Sequence, residues 1–124
     1  DNQDPVCVES GTGYVLMLAG CPLLWVSKLQ TEIALSTMEA EYIALSQAMR
    51  DLLPTRAMIQ DVIGSLVPSS VDSNVSCLMH STVLEDNNAT RILATSPRMT
   101  PRSKHIAVKY HFFREKVASG EVQI

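Results

Sequence analysis

Residues 27–45, with the sequence SKLQTEIALSTMEAEYIAL, contain the change from a strand to a helix that decides the fold. Ser36 followed by Glu39 has the pattern of a capping box, in which each side chain satisfies an unpaired backbone N–H at a helix start. The apolar residues beyond Glu39 predict a helix that continues to about Leu53. Before the box, residues 23–28 follow Pro22 and begin with four apolar residues, which is typical of a strand.

The segments on either side of this stretch alternate between strand and helix patterns. Residues 13–20, bounded by glycines, predict a buried strand paired with residues 23–28 in an antiparallel hairpin, broken at Cys21-Pro22. Pro54 is expected to end the first helix and to begin a second one that reaches Gly64. Further elements are expected as a strand at 75–84, a helix at 88–94, a helix from His105 with the apolar stripe Ile106, Tyr110, Phe113 and Val117, and a strand start at 121–124. This order predicts one mixed α/β domain.

The composition excludes several classes of protein. Apolar residues make up 46% of the 124 residues, enough for a core and too many for a disordered chain. No apolar run approaches the roughly 18–20 residues of a membrane helix, and no signal peptide is visible. The three cysteines are odd in number and lack Cys-x-x-Cys spacing, so we expect reduced thiols without a disulfide framework or zinc site.

Charge is distributed unevenly along the chain. The net charge of −3 combines −8 over residues 1–90, +6 over residues 91–116 and −1 over the last eight residues. A basic third on an acidic chain indicates contact with a polyanion, although a solvated helix and loop would have the same composition.

Two carboxylates are candidates for chemistry, and each has a structural alternative. Glu39 and Glu41 point to opposite sides of a helix, because two residues correspond to about 200° of rotation. Glu39 has its role in the capping box, so Glu41 is left for a site, or for solvent. Asp86 follows a predicted strand, where ligands gather in α/β sheets, but it could equally be the N-cap of the next helix. Its neighbour Glu85 is expected to face solvent.

Oxygen ligands on rigid elements suit Mg²⁺ or Mn²⁺, the hard cations used in phosphoryl transfer. Two carboxylates alone are too few to neutralise and position two divalent ions about 3.5–4 Å apart.

Three stretches together resemble a known family. Residues 27–45 are similar to the signature SKxQ…ALSTxEAEYxAL of copia-type ribonuclease H domains. The residues Thr12-Gly13-Tyr14, then Gly20 to Trp25, resemble the hairpin of that family. The third stretch combines Glu85-Asp86-Asn87 with Pro97, RSKHI at 102–106 and YHFFRE at 110–115, and it is similar to the family pattern DN…P…RxKHI…YHxxRE. The likeness covers nearly the whole chain.

The resemblance implies a single ribonuclease H-like domain over residues 1–124, with a five-stranded mixed sheet flanked by helices. It implies hydrolysis of the RNA strand of RNA–DNA hybrids, with two Mg²⁺ (or Mn²⁺) ions held by an Asp, Glu, Asp, Asp set. Glu41 and Asp86 match the second and third members and are the expected catalytic and metal-binding residues. The family's first strand with its Asp, and its C-terminal part with the last Asp, have no counterpart in this sequence, so the chain alone is expected to be inactive.

The same resemblance implies a reverse transcriptase domain upstream in a polyprotein and a cytoplasmic (virus-like particle) or nuclear location without secretion. The expected contacts to hybrid phosphates are Arg98, Arg102, Lys104 and Lys109. His105 and His111 are expected to cap and pack the last helix. The alternatives are a non-catalytic nucleic-acid-binding remnant of a decayed retroelement and a plain interaction domain.

Without a first strand, the hairpin and the strand at 75–84 should have unpaired edges that face one another. Exposed apolar edges favour aggregation, so the sequence predicts a chain of low stability.

Overall fold

The computed structural model describes residues 9–66, 79–96 and 110–124. These residues contain both helices and strands, which confirms the prediction of a mixed α/β chain. The elements in chain order are β1 (Gly11–Leu18), β2 (Cys21–Leu29), α1 (Thr37–Leu66), β3 (Ser81–Thr82), α2 (Asn88–Thr95), α3 (Arg114–Ala118) and β4 (Val122–Gln123).

Strands β1 and β2 form the predicted antiparallel hairpin, with the turn two residues earlier than expected. Leu18 pairs with Cys21 across Ala19 and Gly20, whose φ angles of 50° and 80° suit a two-residue turn with both central residues left-handed. Pro22 therefore lies inside β2 rather than in the turn. The strand accepts it because the register shifts between Leu16 and Met17, and proline tolerates such an irregularity.

The capping box at the start of α1 is present, with one difference. The Ser36 hydroxyl accepts a hydrogen bond from the backbone N–H of Glu39 at 3.1 Å, as expected for an N-cap. The Glu39 carboxylate reaches back to the backbone N–H of Leu35 at 3.2 Å, one residue beyond the cap. The backbone N–H groups of Leu35 and Glu39 therefore both have an acceptor, and the Glu39 residue is buried.

Pro54 does not end the first helix, and that prediction is wrong. Helix α1 runs without interruption for 30 residues, with Pro54 in its interior. The proline ring is on the exposed side, and the Thr55 hydroxyl donates to the carbonyl of Asp51 at 2.7 Å. Leu53 and the buried Arg56, on the other side of the helix, pack inward. Their packing keeps the helix continuous at Pro54, which has no N–H to donate to a backbone carbonyl.

The hydrophobic core lies between one face of α1 and the second half of the chain. Tyr42, Leu45 and Met49 recur at helical spacing on α1 and are all buried. The remaining core side chains are Ile43, Leu93, Ala94, Tyr110, Phe113 and Val122. Burial of aromatic side chains at the centre of this cluster is its largest apolar contribution.

The predicted last helix is only partly present. Tyr110 and Phe113 are buried and Val117 packs against the core, which agrees with the apolar stripe. However, the helix begins at Arg114, because residues 112 and 113 form a turn; Ile106 lies outside the described residues. Helix α2 and the strand start at β4 agree with their predictions.

The described strands form two separate sheets. One contains β1 and β2, and the other pairs β3 with β4 in parallel, with Val83 N–H extending the pairing to Gln123 O at 2.8 Å. Within the described ranges, only β3 is found of the strand predicted at 75–84. Residues 75–78 lie outside these ranges, and the Leu84 side chain is 93% exposed.

A groove of 490 Å³ separates the two sheets. Its walls are the unpaired edges at residues 13–19 and 79–84, and its floor is the middle of α1. Within the described ranges no strand pairs with the open edge of β1 or of β3, as the sequence predicted. Within the hairpin, Val15 of β1 and Trp25 of β2 form an exposed cross-strand pair, and Trp25 is 70% exposed.

We expect the 124-residue chain alone to be poorly stable, because two open strand edges and an uncovered apolar face offset the small core. Thermal unfolding followed by circular dichroism should show a broad transition below the roughly 45–65 °C usual for mesophilic domains. A cooperative transition of ordinary height in the isolated chain would contradict this expectation.

Replacement of Pro54 by alanine should stabilise the chain by about 1–3 kcal/mol, because alanine restores the N–H that an interior helix position requires. The measurement is the shift of the unfolding midpoint together with the helical signal at 222 nm. Ala57→Gly, an exposed change one turn away, is the control and should destabilise by about 1 kcal/mol. No gain from Pro54→Ala would indicate that the helix ends at Pro54 after all.

Candidate functional site

A pocket of 630 Å³ opens where the start of β1, the early part of α1 and the end of the parallel pair come together. Three of its lining residues are carboxylates and one is an arginine. The polar lining residues are Glu41, Thr82, Glu85, Asp86, Arg91 and Gln123. The pocket therefore brings together the two predicted site residues, Glu41 and Asp86, from distant parts of the chain.

Glu41 reaches the pocket because α1 begins where it does. Ser36 fixes the helix start, so Glu39 turns back to the backbone of Leu35 while Glu41 points to the other side. The Glu41 side chain is half-buried and lines the pocket. The alternative of a fully solvent-exposed helix glutamate is therefore wrong.

Asp86 lies between β3 and α2, and it is not the helix cap. The N-cap is Asn87, whose side-chain oxygen accepts a hydrogen bond from the Thr90 N–H at 3.1 Å. Asp86 is exposed at the mouth of the pocket. Because the cap role belongs to Asn87, the carboxylate of Asp86 is left for the pocket.

Glu85 also lines the pocket, so the prediction that it faces solvent is wrong. That prediction assumed strand alternation, but the strand ends at Thr82 and the following residues are irregular. The Glu85 side chain is half-buried and accepts a hydrogen bond from the Asn87 N–H at 3.0 Å. Burial raises the pKa of Glu85 above its usual value, the Asn87 bond opposes this, and the nearby charges of Glu41 and Asp86 add to it.

Two buried polar side chains position the carboxylates, and sequence reasoning did not assign a role to either. Gln30 donates from Nε2 to the Thr12 hydroxyl at 3.0 Å and to the Ala40 carbonyl at 2.9 Å, next to Glu41. Thr90 donates to the Met38 carbonyl at 3.2 Å and joins α2 to the start of α1. The signal for Gln30 was its place in the SKxQ motif.

The carboxylates are suited in kind to a hard divalent cation, but they are too few. Among the residues that the structure describes, no three His, Cys, Asp or Glu side chains are grouped so as to hold a metal ion. Glu41 and Asp86 line the same open pocket, and carboxylate oxygens are the ligands that hard divalent cations prefer. The described residues do not form a metal site by themselves.

The other predicted residues have mixed outcomes. Arg98, Arg102, Lys104 and Lys109 lie outside the described residues, as does His105. His111 packs as expected: its Nδ1 is 2.8 Å from the hydroxyl of Tyr42, and the two rings are 5.1 Å apart. Burial raises the pKa of Tyr42 to about 12, which keeps this hydroxyl protonated. Cys21 is a free thiol.

Comparisons with known proteins place the chain among retroelement proteins. It is 31% identical over 116 residues to the retrovirus-related Pol polyprotein from transposon TNT 1-94 of Nicotiana tabacum, covering 94% of this chain and 8% of the polyprotein. Two such polyproteins of Arabidopsis thaliana, from transposons RE2 and RE1, are 32% and 30% identical, each over 93% of this chain and 7% of their own length. No family model and no solved structure matches the chain.

No helix within the described ranges is both long enough and apolar enough to cross a membrane. The chain spans less than a tenth of the length of each of the three polyproteins, so it corresponds to one segment of them. The chain is thus homologous to a segment of the retrovirus-related Pol polyproteins of plant transposons, and its origin is in a retroelement.

Proposed function

We propose that the chain is part of a retrotransposon ribonuclease H, which hydrolyses the RNA strand of RNA–DNA hybrids during reverse transcription. The observation that carries the proposal is the meeting of Glu41 and Asp86 in one pocket. These are the two carboxylates that the copia-type motifs select, and they come from segments far apart in the sequence. Homology to Pol polyproteins supports the same assignment.

The arrangement of elements supports a ribonuclease H-like fold. An antiparallel hairpin precedes a long helix, and a parallel strand pair follows it, in the order that the family requires. The groove between β1 and β3 has an open strand edge on each side. One central strand would join both two-stranded sheets into the five-stranded sheet of the family.

The expected cofactor is Mg²⁺ or Mn²⁺, with two ions in the complete domain. Such ions activate a water nucleophile and stabilise the leaving oxygen in phosphodiester hydrolysis. Glu41 and Asp86 would hold them together with two further carboxylates from the flanking polyprotein. Within this chain, the caps at Ser36 and Asn87 fix the elements that present these two side chains.

The proposed partners are an RNA–DNA hybrid and a reverse transcriptase domain in the same polyprotein. Hybrid backbone phosphates would be contacted by Arg98, Arg102, Lys104 and Lys109. The proposed site of action is the cytoplasm, inside a virus-like particle, or the nucleus.

A second candidate function is binding of nucleic acid without cleavage, as a remnant of a decayed element. It is favoured by the finding that no three His, Cys, Asp or Glu side chains among the described residues are grouped so as to hold a metal ion. Homology to polyproteins is equally consistent with both functions, so cleavage is the measurement that separates them.

We expect hybrid cleavage in Mg²⁺ only from a version extended at both ends by flanking polyprotein sequence, and not from the 124-residue chain. In the extended version Glu41→Gln or Asp86→Asn should lower the rate by at least about a hundredfold, because each removes a charged metal ligand. The assay follows release of a labelled RNA strand from a hybrid, with and without EDTA.

The matched control is Glu115→Gln, an exposed carboxylate on α3 outside the pocket, which should leave the rate unchanged. If the extended version binds the hybrid but never cuts it, the binding-only function is the correct one. If the two pocket variants cut as fast as the wild type, the assignment of Glu41 and Asp86 fails.

Charge reversal at Arg102 and Lys104 should weaken binding of the hybrid at low salt, because these side chains are proposed to contact backbone phosphates. Each lost contact should also reduce the dependence of log affinity on log salt by about 0.9. Fluorescence anisotropy at about 50 and 200 mM salt measures both effects. Unchanged affinity at low salt would remove these residues from the interface.

A further inference from the structure

Arg91 is the one basic side chain among the described residues that line the carboxylate pocket. It lies in the first turn of α2, where its backbone N–H donates to the Asn87 carbonyl at 3.0 Å. Its side chain is exposed, whereas the preceding residue, Thr90, is fully buried. The guanidinium therefore projects from a fixed backbone position at the wall of the pocket.

The charge of Arg91 is not used within the described part of the chain. Arg56 and Lys116 form ion pairs with Glu121 at 3.9 Å and 3.1 Å. Arg91 forms no such pair, since no described carboxylate lies within 4.0 Å of it, although three carboxylates line the same pocket. If the fold used Arg91 to neutralise the carboxylates, its guanidinium would be in contact with at least one of them.

Helix α2 supplies a rigid support for the side chain. Leu93 and Ala94 are buried in the core, the Asn87 cap fixes the helix start, and Thr90 is bonded to the Met38 carbonyl. Rotation of the Arg91 side chain can thus move the guanidinium across the pocket mouth without any change in the backbone.

Three carboxylates repel an anion that approaches them, so the protein needs a positive group that can bind the anion. Guanidinium suits a phosphodiester, because two of its N–H groups can bond both free oxygens at once. We propose that Arg91 binds a backbone phosphate of the nucleic acid at the carboxylate pocket. This inference rests on the proposed function and adds a positioning contact to it.

The test measures the affinity of the 124-residue chain for a fluorescent RNA–DNA hybrid in EDTA, where no cleavage occurs. Arg91→Gln should weaken binding about tenfold at about 50 mM salt and reduce the salt slope by about one. Arg91→Lys should retain the slope but recover only part of the affinity, because lysine provides a point charge without the paired donors. The control Lys28→Gln removes an exposed charge on β2, outside the pocket, and should change neither value by more than twofold.

An equal unfolding midpoint for Arg91→Gln and wild type would show that its effect is not structural. If wild type binds and Arg91→Gln matches Lys28→Gln, the role of Arg91 is overturned while the proposed function stands. If wild type fails to bind the hybrid, the role of Arg91 is overturned, while cleavage by the extended version remains the separate test of the proposed function. Weakening without any change of salt slope would also contradict a phosphate contact.

Discussion

The structure depends on one buried amide, that of Gln30. Its backbone N–H donates to Ser10 O at 2.7 Å, and its side chain joins the Thr12 hydroxyl to the Ala40 carbonyl. Gln30 is 1% exposed, so loss of these bonds would leave polar groups unsatisfied in the interior at a cost of about 1–3 kcal/mol. Because Ala40 precedes Glu41, the same bonds that attach the hairpin to the helix also fix the position of the Glu41 carboxylate relative to β1.

Helix α2, which follows the second carboxylate, is attached to the start of α1 by an analogous contact. Thr90 is fully buried and bonds the Met38 carbonyl, two residues before Ala40. The helix start is therefore held from both sides, by the hairpin through Gln30 and by α2 through Thr90. Glu41 and Asp86 face one pocket as a consequence of these non-local bonds.

Local rules predicted what local interactions decide. The cap at Ser36, the helix α2 and the burial of Phe113 follow from spacing within a few residues, and all three are found. Pro54 was misjudged because packing of neighbouring side chains outweighs one missing hydrogen bond. The orientation of Glu85 failed for another reason: alternation holds only while pairing lasts, and pairing of β3 ends before this residue. The contacts of Gln30 and Thr90 join distant segments, which no local pattern encodes.

The unpaired strand edges and the carboxylate pocket occur at the same place. The groove and the pocket share Gly13, Thr82, Val83 and Leu84, so the open edges lead directly to the carboxylates. A strand in the groove would place its residues beside Glu41 and Asp86 and would cover apolar surface along the floor of α1. A segment seated in the groove would stabilise the sheet by pairing with these edges and would lie next to the carboxylates. The stability of the chain and the surroundings of Glu41 and Asp86 should therefore change together rather than independently.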